Sequence, residues 1–242
     1  SNLQNLTVII VTYRTNHEIL ENCINSIDQN VRILIVENSN DEKFKEKYEK
    51  KYNNVSVILS NKNLGYGGGN NFGFNNMSTR YGLISNPDVI YNSNFFKEIE
   101  KYLIPEIKFS IIGVCYDNED EYLSYGSFNN KENKILKNKN FEQNNLKEVD
   151  WVVGCSMLID TENIKSLNLF DENIFLYFEE NDYFHQCLKK NKKIYLIENL
   201  EAYHWGGSVN NISLEYECLK KWHWEWSKYY FYNKHYNKII IL

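Results

Sequence analysis

The densest group of side chains that could do chemistry in this sequence lies near residue 180. Glu179, Glu180 and Asp182 place three carboxylates within four positions, directly after an aromatic run. Carboxylates repel one another and are costly to remove from water, so crowding them needs a physical reason. The group is either a metal or proton-transfer site or the solvated first turn of a helix, and these three residues alone do not decide between the two.

Helical spacing gives the three carboxylates different predicted environments. A helix is predicted from about Glu179 to Lys190, and one turn back from its apolar residue Phe184 lies Glu180. Glu180 is therefore predicted to point inward, where the helix dipole and a partly dry cleft would suit a general base. Glu179 and Asp182 are expected on the wetter side, as a solvated first turn.

Two other sites could bind a cation or an anion. Asn86-Pro87-Asp88 contains one of only two prolines in the chain, and proline stiffens the turn that carries Asp88. A carboxylate aimed into a cleft suits a divalent cation that bridges phosphates, whereas in an Asx-type turn it would bond only backbone. His204, which precedes Gly206-Gly207-Ser208, is either a metal or phosphate ligand or a core histidine with its own partner.

A buried parallel sheet is predicted to position these side chains. Strands are predicted for four apolar runs that are rich in β-branched residues, Leu6 to Thr12, Val31 to Val36, Val55 to Leu59 and Tyr81 to Ser85. Helical patterns alternate with these runs, which indicates a doubly wound α/β sheet. Ligands of such sheets bind in the crevice at the carboxyl ends of the strands.

Polar residues follow each of the four predicted strands. They are Thr12-Tyr13-Arg14, Glu37-Asn38-Ser39, Asn61-Lys62-Asn63 and Asn86-Pro87-Asp88. Any one of them would be an ordinary polar loop. Four in succession, with Arg, Glu and Asp among them, indicate a polar ligand of the size of a nucleotide.

Further elements are predicted on weaker patterns. A capping box at Thr15 to Glu18 begins the first helix, and a glycine-rich loop at Gly65 to Gly69 leads into another. That loop matches neither a Walker loop nor a dinucleotide fingerprint, so it is either a close approach to a ligand or a tight turn. Residues 117–149 are interpreted as irregular connection or short antiparallel strands. The remaining predicted elements are a helix at Asn94 to Leu103 and strands at Phe109 to Tyr116, Trp151 to Ile159 and Lys193 to Ile197.

The composition limits the class of protein. The 242 residues, with no repeat or linker pattern, favour one domain. A net charge of −5 argues against a nucleic-acid partner, which usually meets a basic excess. The five cysteines are odd in number and form no CxxC pair, as is typical of reduced thiols in the cytoplasm. No secretory signal opens the chain and no run is apolar enough to cross a bilayer, so a cytoplasmic location is expected.

An ordered set of motifs resembles a family 2 glycosyltransferase with the GT-A fold, and is most similar to the bacterial rhamnosyltransferase-like branch. Each motif is weak alone, but the ordered set is specific and covers nearly the whole chain. The resemblance implies a Rossmann-like, doubly wound, mostly parallel α/β sheet with a smaller antiparallel part on the acceptor side. The motifs are Val8 to Arg14, Val36 to Ser39, Asn63 to Asn70, Asn86 to Val89, Gly154 to Leu158, Phe170 to Glu172, Phe175 to Asp182 and His204 to Ser208.

The resemblance implies inverting transfer from a nucleotide-diphosphate sugar, without a covalent enzyme intermediate. Glu180 falls where the family usually has its catalytic base. Asp88 matches the last acid of the family's DxD-like motif, which binds Mg²⁺ or Mn²⁺, and His204 matches a residue near the metal and phosphates. The implied donor-binding residues are Thr12, Tyr13, Arg14, Glu37, Asn38, Asn63, Gly65, Asn70 and Asn86.

Two positions depart from the family's usual pattern, because Glu37 and Glu180 stand where Asp is usual. The longer side chain at 37 leaves UDP- and dTDP-sugars open as donors. The longer side chain at 180 leaves a catalytically inactive sugar-nucleotide or glycan-binding protein as the alternative. For an active enzyme, the branch implies a glycan or lipid-linked acceptor in bacterial surface polysaccharide synthesis, such as capsule, O-antigen or lipooligosaccharide.

The C-terminal segment is predicted to be an aromatic helix without catalytic residues. Trp222, Trp226, Tyr229 and Tyr230 recur at helical spacing. This side either packs on the domain, or contacts a second subunit or the inner face of the plasma membrane, since Trp and Tyr interleaved with Lys suit a membrane interface. The predicted parts of the single domain are a nucleotide-sugar-binding half (1–116), an acceptor and catalytic half (117–210) and this helix (211–242).

Overall fold

A computed structural model describes residues 1–117, 125–126, 146–165, 167, 169–206 and 213–236, with backbone alone at 115–117, 125–126 and 198–199. Most of the segment interpreted as irregular connection therefore lies outside the described residues, as do Gly207 and Ser208. Two short strands within that segment are described, and each pairs antiparallel with a neighbour. Across the described residues, no helix is both long and apolar enough to cross a membrane.

The first half of the chain alternates strands and helices as predicted. Its apolar runs form the strands, and Asn16 and Asp41 cap the two helices that follow them by accepting hydrogen bonds from first-turn amides. The elements are β1 (Leu6–Thr12), α1 (His17–Ser26), β2 (Arg32–Glu37), α2 (Glu42–Lys51), β3 (Val55–Leu59), α3 (Gly65–Asn76), β4 (Tyr81–Ser85), β5 (Val89–Tyr91) and α4 (Phe95–Ile99).

The second half contributes six described strands and two helices that pack against each other. A single 3₁₀ turn, Glu100–Tyr102, extends α4 before this half begins. The elements are β6 (Ile111–Asp117), β7 (Tyr125–Gly126), β8 (Leu146–Val149), β9 (Trp151–Val152), β10 (Ser156–Asp160), α5 (Glu179–Lys189), β11 (Ile194–His204) and α6 (Leu214–His235).

Nine of the described strands form a mixed sheet with the order β3-β2-β1-β4-β10-β6-β11-β5, in which β8 pairs with β11 beside this path, and β7 and β9 form a separate pair. Strands β3, β2, β1 and β4 are mutually parallel, β6 and β11 continue their direction, and β10, β5 and β8 run against it. Helices α1, α2 and α4 cover one face, and α3 and α5 the other. The predicted α/β class with helices on both faces is confirmed.

The sheet register brings the predicted polar strand ends to one edge. Thr12 at the end of β1 is paired with Glu37 at the end of β2, and Glu37 is paired with Leu59 at the end of β3. On the other side of β1, Ser85 at the end of β4 is paired with Ile10. The polar segments that follow these strands therefore begin side by side, as the carboxyl ends of parallel strands must.

Three local predictions were wrong. The stretch Gly65 to Gly69 is the first turn of α3 and not a loop; glycine suits that helix because an added Cβ at Gly73 would lie 2.6 Å from the Ile9 side chain. The predicted strand Trp151 to Ile159 is two strands, β9 and β10, in separate sheets. The capping box is also incorrect, since Asn16 caps α1 while Thr15 accepts a hydrogen bond from Tyr13 N.

Candidate active site

The side chains of Thr12 and Glu37, at the ends of β1 and β2, are buried and have backbone hydrogen-bond partners. Thr12 is buried, and its hydroxyl lies 3.4 Å from Val36 O. The Glu37 carboxylate accepts hydrogen bonds from the backbone of Ser39 (3.0 Å) and Asp41 (2.9 Å). The extra methylene of Glu37 thus lets its carboxylate fold back onto the loop that precedes α2, where it holds that loop in shape.

Tyr13 and Arg14 form the rim of this edge. Arg14 adopts a left-handed backbone conformation (φ 49°), is exposed, and donates its backbone N–H to the Ser39 hydroxyl at 2.9 Å. Its guanidinium lies 5.2 Å from the centre of the Tyr13 ring. A cationic group stacked on an aromatic ring at the open edge of the sheet can contact a phosphate or a base.

The first turn of α3 lies against the same edge. The Asn63 side chain caps it by accepting from Gly65 N (3.0 Å), and Asn38 donates its side-chain amide to Gly65 O (3.1 Å). Asn70, one turn further on, donates to Tyr66 O (3.0 Å). The amide oxygens of Asn38 and Asn70 are buried and have no hydrogen-bond partner in the described part of the chain. Such orphaned acceptors fit a polar ligand or bound water.

Asp88 and His204 meet at the junction between β5 and β11. The carboxylate of Asp88 is buried and lies 3.3 Å from His204 Nε2, and Asp88 O accepts from Trp205 N (3.1 Å). Burial opposes protonation of His204, but hydrogen bonds with Asp88 and Cys155 outweigh it and raise the pKa of His204 to about 10. The Asx-turn alternative for Asp88, with backbone partners alone, therefore does not describe its carboxylate.

The Asp88–His204 pair fits a divalent cation whose remaining ligands are phosphate oxygens and water. The described residues contain no group of three or more His, Cys, Asp or Glu side chains able to hold a metal. Asp88 and His204 supply one carboxylate and one imidazole, and the buried amide oxygen of nearby Asn86 has no partner among the described residues. Mg²⁺ and Mn²⁺ commonly take one or two protein ligands and complete their shell with phosphate oxygens and water.

The three clustered carboxylates differ from the sequence prediction. Glu179 is 3% exposed and Asp182 is fully buried, whereas Glu180 is partly exposed. The expectation of a solvated first turn for Glu179 and Asp182 is therefore wrong. The physical reason is that α6 packs on the outer side of α5 and covers Asp182, so that α5 is enclosed by the sheet on one side and by α6 on the other.

Glu180 lies in a narrow space formed by two other elements. A Cβ added at Gly154, between β9 and β10, would lie 3.1 Å from Glu180 Oε1. Tyr66, in the first turn of α3, donates its hydroxyl to Gly154 O at 2.6 Å. Burial raises the pKa of Glu180, and burial together with the charge of Glu180 raises the pKa of Glu179 well above its ordinary value. A carboxyl with a raised pKa in a cleft is suited to proton transfer.

Residues 154 and 155 connect the two halves of the site. Gly154 contacts Glu180, while Cys155 interacts with His204 and accepts a hydrogen bond from Asn86 N at 2.8 Å. The candidate base and one of the candidate metal ligands therefore contact the same short segment. Tyr66, Gly154 and Cys155 were not among the predicted site residues, although each falls within a motif used for the resemblance; nothing in their spacing reveals the contact.

Solved structures of similar shape are glycosyltransferases. A structure of GalNAc-T7 with UDP, GalNAc and Mn²⁺ has a TM-score of 0.66 at 15% identity, covering 94% of this chain and 49% of that one. TarS of S. aureus (residues 1–349) has a TM-score of 0.61 at 17% identity, over 82% of this chain and 60% of that one. The mannosyltransferase PcManGT of Pyrobaculum calidifontis, with GDP-Man and Mn²⁺, has a TM-score of 0.63 at 8% identity, over 90% and 60%. The described chain therefore has a GT-A-like fold and spans about half to three fifths of these structures.

Sequence comparison agrees with the shape. The low-salt glycan biosynthesis hexosyltransferase Agl10 of Haloferax volcanii is 25% identical over 213 residues, which cover 84% of this chain and 67% of Agl10. The model of glycosyl transferase family 2 matches residues 7–166, a span that includes β1 to β4, Asp88 and Gly154. The family match covers most of the chain, and the fold is GT-A-like. This protein therefore belongs to glycosyltransferase family 2.

Proposed function

We propose that this protein is an inverting, metal-dependent glycosyltransferase that moves a sugar from a UDP- or dTDP-sugar to an acceptor hydroxyl. The observation that carries the proposal is the Gly154-Cys155 segment, which contacts Glu180 through Gly154 and the Asp88–His204 pair through Cys155. Inverting transfer needs a base for the acceptor and charge compensation for the leaving diphosphate, close to each other. The two clusters supply the groups for both tasks.

Each residue of the site has a separate role in this proposal. Asp88 and His204, the latter as the neutral imidazole, would hold Mg²⁺ or Mn²⁺, which when bound would offset negative charge on the diphosphate. Glu180, partly exposed and with a raised pKa, takes the proton from the acceptor hydroxyl. The nucleoside lies against the ends of β1 and β2 and the first turn of α3. The proposed donor contacts are Thr12, Tyr13, Arg14, Glu37, Asn38, Asn63, Gly65, Asn70 and Asn86.

The acceptor is proposed to be a glycan or a lipid-linked saccharide. The similarity to Agl10, a hexosyltransferase of glycan biosynthesis, supports hexosyl or rhamnosyl transfer to a growing glycan. The resemblance to the rhamnosyltransferase-like branch supports bacterial surface polysaccharide synthesis in the cytoplasm, at the inner face of the plasma membrane. The exposed aromatic side chains of α6 support a peripheral contact with that membrane or with a second subunit.

A thermal-shift panel tests donor and metal binding together. UDP, dTDP, GDP and CMP are compared with and without Mn²⁺, and binding to the native state alone raises the melting temperature. We expect a shift for UDP or dTDP that grows with Mn²⁺, and Asp88→Asn should remove the metal-dependent part while changing the unliganded melting point little. Equal shifts in Asp88→Asn and the wild type would contradict the metal role of Asp88.

A sugar-nucleotide or glycan-binding protein without turnover is the second candidate. The observation in its favour is Glu180 itself, because a longer side chain than the family's usual Asp shifts the carboxylate within a narrow space, and small misplacements are costly in catalysis. Turnover of UDP- and dTDP-sugars in the presence of Mn²⁺ separates the two. Donor binding without any transfer or donor hydrolysis would favour the binding protein.

A further inference from the structure

Asp182 is a fully buried carboxylate that is bonded by two side chains of the C-terminal helix. It lies in the first turn of α5, two residues after Glu180. His235 of α6 donates Nε2–H to its Oδ1 at 2.6 Å, and Lys234 lies 2.8 Å from Oδ1 and 3.0 Å from Oδ2. Gln186, one turn further along α5, donates at 2.9 Å. A buried carboxylate is costly unless it is paired, so these bonds fix how α6 sits on α5.

The same two residues of α6 connect α5 to its surroundings. Lys234 also contacts the Asp171 carboxylate at 2.7 Å, to which Tyr230 donates its hydroxyl at 3.0 Å. Lys189, in the last turn of α5, donates to His235 Nδ1 at 3.0 Å, so the imidazole bridges a cation and a carboxylate. The network therefore joins both ends of α5 to one turn of α6.

The middle of α6 holds the segment that leads into α5. Tyr177 and Phe178 both have left-handed backbones (φ 67° and 66°), a strained conformation for bulky side chains that persists only where packing enforces it. Ser227 of α6 donates to Leu176 O at 2.8 Å, and the Phe231 ring lies 5.5 Å from that of Phe178. These contacts enforce the turn from which Glu179 and Glu180 begin the helix.

We propose that α6 sets the position of the Glu180 carboxylate, with Lys234 and His235 as positioning residues that act through Asp182. The proposal rests on the proposed function in which Glu180 is the base. The geometry is that of a clamp, since α6 contacts Leu176 and Phe178 before Glu180 and Asp182 after it. A small displacement of a reacting group lowers the rate strongly while binding elsewhere is unaffected. Loss of the clamp should therefore lower kcat and leave donor affinity unchanged.

The test is Lys234→Met, with Lys234→Arg as the conservative variant and Lys228→Met as the matched control from the exposed side of the same helix. We expect Lys234→Met to lower kcat about 10- to 100-fold with the donor KM within about twofold. Lys234→Arg should restore most of kcat, and Lys228→Met should match the wild type. Amide hydrogen exchange of Asp182, whose N–H donates to Phe178 O at 2.9 Å, should accelerate only in Lys234→Met.

The exchange readout separates this proposal from the proposed function. If the wild type transfers no sugar, the function fails, while faster exchange at Asp182 in Lys234→Met still supports the clamp. If kcat and exchange in Lys234→Met both equal those of Lys228→Met, the clamp is overturned. If Lys234→Met does not fold, Tyr230→Phe removes one hydrogen bond from the same network and should give a smaller change of the same kind; no change in either readout would overturn the proposal.

Discussion

At the scale of single residues, two adjacent carboxylates in the first turn of α5 have different environments. Glu180 is partly exposed beside Gly154, whereas Glu179 is 3% exposed and its Oε2 has no hydrogen-bond partner among the described residues. An acceptor hydroxyl can therefore reach Glu180, while burial and the charge of Glu180 raise the pKa of Glu179 well above its ordinary value. Substitution of each residue separates these roles.

Glu180→Gln should abolish transfer because the amide cannot take a proton, and we expect kcat to fall at least about 100-fold. Donor binding should persist, since the change is nearly isosteric. Glu179→Gln should lower kcat far less. Steady-state kinetics and a donor thermal shift on both variants check this order. A dead Glu179→Gln enzyme beside an active Glu180→Gln enzyme would reverse the assignment.

Glu179→Gln should also change how stability depends on pH. Folding raises the pKa of Glu179. The stability that its protonated carboxyl contributes is therefore fully present below the ordinary value of 4.5 and is lost as pH rises through the folded pKa. The glutamine variant should therefore be about as stable as the wild type at pH 4 and more stable at pH 8. The gain at pH 8 should be about 1.4 kcal/mol for every tenfold increase in proton affinity that folding gives the Glu179 carboxyl.

Urea unfolding at both pH values measures this effect. Glu42→Gln is the control, because Glu42 is exposed in the first turn of α2, and this variant should be no more stable than the wild type at pH 8. A Glu179→Gln variant that is no more stable than the wild type at pH 8 would show that the carboxylate of Glu179 is compensated in the fold.

Sequence reasoning identified the carboxylate cluster but not its environments. The helical phase was judged from the apolar residues of α5 alone, and Asp182 is buried because α6, more than 30 residues further along the chain, supplies His235 and Lys234. Similarly, the sequence placed Glu37 at a strand end, but could not predict that its carboxylate binds the backbone of its own loop. Burial of a polar side chain depends on distant partners, which spacing does not encode.

At the scale of elements, the approach of α3 to the segment before α5 depends on one glycine. Gly65 has φ 71°, its carbonyl accepts from Asn38, and an added Cβ would lie 2.1 Å from Phe175 O. Tyr66 N donates to the same Phe175 carbonyl at 3.1 Å. The two backbones are therefore in direct contact at the start of the helix.

Gly65→Ala should be strongly destabilising because both the left-handed backbone and the contact forbid a side chain. Gly206→Ala is a matched control with φ 70° and no atom of the described residues within 4 Å of the added Cβ. The control should cost about 1–2 kcal/mol of unfolding free energy for the backbone alone, and Gly65→Ala at least about 2 kcal/mol more. Equal costs in urea unfolding would indicate that α3 can move away from Phe175.

The strands of the first half could be predicted because buried parallel strands are continuous apolar runs. The start of α3 at Gly65 could not be predicted, because glycine disfavours helices. Close packing of the helix against β1 is what favours glycine in α3. The break between β9 and β10 was also missed. The run from Trp151 to Ile159 is apolar throughout, and the division depends on pairing of β9 with β7 and of β10 with β4 and β6.

At the scale of the whole molecule, α6 has two different sides. His223, Ser227 and Phe231 face the domain, with His223 stacked on Phe175 at 4.5 Å. The opposite side exposes Trp222 (58%) and Trp226 (41%), whose rings stack 6.0 Å apart. Core packing was one of the two interpretations for this aromatic side, and it does not describe the two tryptophans, which remain accessible.

We expect the exposed side of α6 to bind anionic liposomes or a second copy of the chain. Trp222→Ser combined with Trp226→Ser should abolish liposome sedimentation or reduce the mass measured by light scattering, because the apolar area is lost. Trp205→Ser, which removes a tryptophan that is 62% exposed elsewhere, is the control and should change neither result. A wild-type protein that is monomeric and ignores liposomes would exclude both contacts.

The pairing of strands that are far apart in the chain could not be predicted from sequence patterns. Insertion of β10 between β4 and β6, against the direction of both, joins strands that are far apart in the chain. This insertion places Gly154 and Cys155 beside the end of β4, and so joins the two halves of the site. A pattern of apolar residues predicts that β10 is buried but not which strands flank it.

The exposed side of α6 also carries a thiol. Of the four cysteines whose side chains the structure describes, Cys23, Cys155 and Cys187 are buried and Cys218 is exposed, one turn before Trp222. Burial raises the pKa of both the Cys23 and the Cys187 thiol to about 12, which suppresses their reaction with maleimides. A fluorophore added under mild conditions should therefore attach at Cys218 in preference to these three, where its emission would report directly on whatever covers the aromatic side of the helix.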